Sequence, residues 1–191
     1  MKVFLESPNL LATIAAESEK NSAAARELIN ELTEAQLNWR PAPDKWSIAQ
    51  CLDHLALTSS RFDSYFTDAL VRGRKQWPVN SPPKYRPSLM GGWLIKQVEP
   101  VTGRNLTAPK VFRPATSEIH GAPDKFLQQQ NRFLQFVRQT EGVDYNKTRL
   151  RSPVTPLMRY SLADAFVITV VHEQRHLLQA RRVRETPGFL N

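Results

Sequence analysis

Two histidines, His172 and His176, stand four residues apart in the run HEQRHLLQ near the C-terminus. If that run is helical, 3.6 residues per turn put both imidazoles on one face, close enough to share a metal ion. The pair alone is equally consistent with two ordinary surface or core residues. His54 shifts the balance, because it stands among Ala49, Leu52, Leu55 and Leu57 on the inward side of another apolar segment. Three neutral imidazoles on two helices form an all-nitrogen site with open positions, the arrangement that catalytic zinc uses. The remaining histidine, His120, lies in Glu118-Ile119-His120-Gly121 and reads as a loop residue.

The C-terminal run also spells H-E-x-x-H, the zinc-protease signature in which Glu173 would be the general base. That reading needs a third protein ligand, typically downstream. No histidine follows His176, and Gln179 stands where the extended signature has glycine. Glu185 is roughly two and a half turns further on, too far to reach the same ion. A protease is therefore the weakest of the metal readings.

The elements that must position these residues are helical. Residues 9–37 carry Leu10, Ile14, Leu28, Ile29 and Leu32 at helical spacing and are expected to form one helix ending before Arg40-Pro41. Ser47 with Gln50 three residues later is a capping box, which starts a second helix running to about Arg72, with Gly73 as its stop. Residues 73–121 hold seven prolines but also Trp77, Tyr85, Trp93 and Phe112, so they are expected to pack on the helices, with a short helix at 89–98. A third helix is expected from Pro123 to Gly142, and a last one from the Ser161/Asp164 cap to just before Pro187-Gly188. The reading is all-α: a single domain over 1–191, folded as a four-helix bundle with a long Pro-rich crossover between helices 2 and 3, and with no β structure expected.

Composition narrows the function classes. With 41% hydrophobic and 23% charged residues the chain is of the soluble globular class. A lone cysteine, Cys51, excludes an intramolecular disulfide and a Cys-rich zinc site, and fits a reducing cytoplasm. Glu6, Ser7 and Pro8 break the N-terminal apolar run before a signal-peptide core forms, and no apolar run approaches the ~20 residues of a membrane span. The net charge of +8 invites a nucleic-acid reading. The middle segment, 71–121, is the most basic, but its cations, Arg104 among them, are scattered through a Pro-rich connection with no recognition-helix pattern. That argues against nucleic acid.

The stretch NWRPAPDKWSIAQCLDHL at 38–55, followed by KVFRP at 110–114, RSPVTPLMRYSL at 151–162 and HEQRHLLQARRV at 172–183, resembles the DinB-like superfamily over nearly the whole chain. That superfamily includes the YfiT-like bacillithiol transferases and mycothiol-dependent isomerases. The resemblance implies a four-helix bundle with one divalent metal ion, nickel or zinc before iron or manganese, on His54, His172 and His176. It further implies a small-molecule substrate and a low-molecular-weight thiol, with the metal lowering the pKa of the thiol or of a water.

Within that frame Glu173 is a candidate proton acceptor. It lies about 100° round the helix from His172 and about 60° from His176; a solvated carboxylate is the competing reading. Gln50 or Asp53 is placed to orient an imidazole. Arg175, Arg181, Arg182 and Arg184 either bind carboxylates of an anionic thiol or form a solvated helix end. The expected function is a cytoplasmic metal-dependent thiol transferase or hydrolase acting on a small electrophile. The alternative is a non-catalytic stress-response or binding protein whose metal staples the bundle. Exposed bundle faces suit a homodimer.

Overall fold

The computed structural model describes residues 1–100, 109–155 and 157–190; Arg104 of the crossover and Pro156 of the 151–162 stretch lie outside them. The described residues are all-α apart from one small ribbon. In chain order they form α1 (Lys2–Leu5), α2 (Leu10–Ile29), α3 (Glu34–Asn38), α4 (Ile48–Gln76), α5 (Leu89–Val98), a 3-10 turn (Lys110–Phe112), α6 (Ala122–Gln139), β1 (Arg149–Arg151), β2 (Arg159–Ser161) and α7 (Leu162–Arg184).

Both expected capping boxes form. Ser47 Oγ accepts from the Gln50 amide while Gln50 Oε1 accepts from the Ser47 amide, and Ser161 and Asp164 do the same at the start of α7. The expected helix over 9–37 is instead two helices. The chain leaves α2 at Asn30, Glu31 takes a left-handed φ of 64°, and a third capping box of Thr33 and Gln36 starts α3. The T-E-A-Q signal was in the sequence and outweighed the apolar stripe that ran across it. Gly73 does not stop α4, which continues to Gln76. It permits close packing: a Cβ there would come within 2.6 Å of Thr148 Oγ1 and 2.7 Å of Val143 Cγ1.

The ribbon is the second departure. β1 and β2 pair antiparallel over three residues, Arg149 opposite Ser161, Leu150 opposite Tyr160 and Arg151 opposite Arg159. Leu150 and Tyr160 are buried, and the arginines point outward. Strands this short carry too little alternation to register as β in a sequence.

Four long helices close a ring, with α4 packed on α6 and α7, and α2 packed on the same two helices. The crossover covers one side, α5 lying on α7 and the 3-10 turn on α4. Two apolar clusters fill the interior. One centres on Phe66, whose ring meets Phe62, Phe133, Phe136 and Phe166; the other gathers Ile48, Leu52, Leu55, Phe126, Leu177 and Ala180. Along α4 and α7 the three histidines fall where one cluster gives way to the other. Burial on both sides thus fixes the helices that carry them.

Candidate metal centre

α4 brings His54 to the point where α7 presents His172 and His176. One ring nitrogen from each lies within 4.8 Å of the other two. His54 Nε2 is 3.3 Å from His172 Nε2. Two nitrogens each bound at 2.0–2.1 Å to a tetrahedral ion would be separated by about the same distance, so the pair fits a shared divalent cation.

The chain also sets which nitrogen is free. His54 Nδ1 lies 2.6 Å from the carbonyl oxygen of Phe112, which can only accept, so the proton resides on Nδ1 and the lone pair on Nε2. Gln179 Oε1 accepts from His176 Nδ1 at 2.9 Å in the same way. Trp46 closes one side, its ring 4.9 Å from His54 and stacked 5.6 Å from His176. His54 is buried, whereas His172 keeps partial exposure.

Burial holds all three imidazoles neutral. His54 is lowered from its ordinary value by desolvation, against the opposing pull of the Phe112 carbonyl and the Asp53 charge. His172 is lowered well below its ordinary range by burial, then by His176, His54 and Arg175. His176 is lowered to about 3, by burial and then by His54. Neutral imidazole is the ligand form, so a cation need displace no proton at pH 7.

The other candidates separate. Glu173 is not solvated: it is 3% exposed, turned toward α2, where Asn21 Nδ2 donates to its carboxylate at 2.9 Å. Burial raises its pKa to about 7, against the lowering effect of Gln130 and Asn21. Gln50 orients no imidazole; its amide nitrogen holds the crossover through the Ala115 carbonyl, 2.9 Å away. Asp53 reaches His54 through charge. The arginines do not converge on one anion: Arg175 donates to the Gln97 and Glu99 carbonyls at the end of α5, Arg184 to the Leu28 carbonyl at the end of α2, and Arg181 meets Glu27. His120 is exposed beside Glu34, as a loop residue should be.

The sequence reading missed the Phe112 carbonyl, Gln179 and Trp46. A backbone carbonyl has no sequence signature. Gln179, three residues beyond His176, was legible as a partner on the same helix face.

Apart from the small ribbon the described residues are helical, and three neutral imidazoles converging from facing helices form the kind of group that helical bundles use to hold a metal. A family model of the DinB superfamily matches residues 18–180, and the chain belongs to that superfamily. No curated protein and no solved structure matches it significantly. The three-histidine group and the family together fit a metal-binding DinB-like protein. No helix among the described residues is long and apolar enough to cross a membrane.

Proposed function

We propose that this chain is a metal-dependent S-transferase or hydrolase, in which His54, His172 and His176 hold one nickel or zinc ion beside a small electrophilic substrate. The observation that carries the reading is the convergence of one ring nitrogen from each of three histidines, within 4.8 Å of one another, on helices fixed by the core. Three protein ligands, where structural zinc sites close all four positions, favour catalysis over stapling.

A bound divalent ion supplies Lewis acidity that makes a thiol or water acidic enough to attack near neutral pH. The residues supply the rest. Phe112 and Gln179 lock the tautomers of His54 and His176, and Trp46 screens the imidazoles from water. In thiol transfer the sulfur forms a bond to the electrophilic carbon, the leaving group departs with the bonding pair, and the thiol proton passes to a base. Glu173, one residue from His172 with a carboxyl pushed up to about 7, can serve as that base only by turning from Asn21 on α2 toward the histidines.

The test is turnover by untagged protein loaded with zinc or nickel, using low-molecular-weight thiols with a chromogenic aryl halide, and esters for hydrolysis. Turnover is expected to disappear on chelation and in His176→Ala, and to return when metal is restored to the wild type. If chelation lowers the melting temperature sharply while neither panel turns over, the metal is a staple and the catalytic reading is wrong.

A further inference from the structure

Toward the other end of α4 lies a pocket of about 640 Å³ between the last turns of that helix and the β1–β2 ribbon. Along the helix axis Arg72 is about 27 Å from His54, so this pocket is separate from the histidine cluster. Five cations line it: Arg72, Lys147, Arg149, Arg151 and Arg159; so do two aromatic rings, Tyr65 and Trp77.

The ribbon explains how these charges come together. Alternation along three-residue strands puts Leu150 and Tyr160 inside and Arg149, Arg151 and Arg159 on the outer face. Arg151 and Arg159 are directly opposite partners, a cross-strand arrangement in which like charges repel. Among the described residues no carboxylate pairs with Arg149, Arg151 or Arg159. Arg72 is fixed against the ribbon by donating to the Arg149 carbonyl at 3.2 Å. Lys147 leans over the Trp77 ring at 5.4 Å and is 3.5 Å from Asp144. Asp68 is the carboxylate in the lining. Thr148, also in the lining, has a buried Oγ1 with no hydrogen-bond partner.

We propose that this pocket binds a small phosphate-bearing ligand, with the ribbon arginines and Arg72 on the phosphate oxygens. Arginine forks match phosphate geometry, and an anion there would relieve the Arg151–Arg159 repulsion. The cations gather around one half-open pocket and do not follow an extended track, which favours a small ligand over a nucleic-acid strand. Trp77 and Tyr65 offer stacking faces to a planar group on that ligand.

Calorimetric titration of the full chain with inorganic pyrophosphate, and separately with ADP, tests this. One-to-one binding is expected for both, weakening by about 100-fold in the Arg151→Ser, Arg159→Ser double variant. The affinity should fall as salt rises. Tighter ADP binding that drops in Trp77→Ala would assign the stacking face and support the proposal. Because pyrophosphate and ADP also bind metals, His172→Ala must retain the binding; loss there places the ligand at the histidines and overturns the proposal. Arg149→Ser, at an exposed position, gives a second readout should the double variant unfold. Undiminished binding in both arginine variants would overturn the proposal. So would an absence of saturable binding by both probes, or saturable binding of a single-stranded oligonucleotide alone.

Discussion

Between pH 4 and pH 8, Glu173→Gln is expected to gain about 3 kcal/mol of stability relative to the wild type, measured by urea unfolding of metal-free protein. The carboxyl sits near 4.5 in the unfolded chain and is raised to about 7 in the fold, chiefly by burial. Between those values the folded state binds more protons than the unfolded state, so this group's contribution falls as pH rises. By pH 8 the full cost of ionising a 3% exposed carboxyl is present. Glutamine keeps a carbonyl for Asn21 and has no charge to bury. The three histidines slope the opposite way: lowered in the fold, they destabilise it as pH falls below about 6.5. Because they do so in both proteins, their effect cancels in the comparison. A difference between variant and wild type that stays constant with pH would show that Glu173 is not held near 7, and would remove the physical basis for its role as proton acceptor.

Asp164→Ala should cost about 4 kcal/mol. This side chain is fully buried, and its carboxylate is the common acceptor for Tyr85 Oη at 2.9 Å, Ser88 Oγ at 2.7 Å, the Ser88 amide at 3.2 Å and the Ser161 amide at 3.0 Å. It therefore caps α7 and anchors the start of α5 at once. Gly91 makes the approach possible, since a Cβ there would come within 2.1 Å of Asp164 Cγ. Alanine leaves four donors without their acceptor. Asparagine should recover part of the loss, because its carbonyl still accepts. The far end of α5 is tied to α7 as well, where the Gln97 and Glu99 carbonyls accept from Arg175. Urea unfolding of both variants measures it, and a loss below about 1 kcal/mol would contradict this role.

These two carboxylates show how unevenly the chain can be read. The Ser161/Asp164 spacing announced a helix start, and α7 begins there, but nothing local revealed that Asp164 also receives Tyr85 and Ser88 from 79 and 76 residues away. Glu173 was legible as a neighbour of His172, yet its burial against Asn21 depends on how α2 packs on α7. The His54, His172 and His176 grouping was legible because helical spacing and an apolar setting constrain direction, and because the surrounding motifs resemble a family. The split of the first helix was written in Thr33 and Gln36 but masked by an apolar stripe longer than the helix it served. The arginine ribbon was not legible: three-residue strands have no period, and Arg149, Arg151 and Arg159 belong to no motif that would bring them together.

Whether His54, His172 and His176 hold an ion is read out by metal analysis of protein purified without a polyhistidine tag. The wild type is expected to carry about one divalent ion per chain, and the His54→Ala, His172→Ala double variant almost none, with helical circular dichroism preserved. A double variant that retains the wild type's metal content would show that these histidines do not hold the ion.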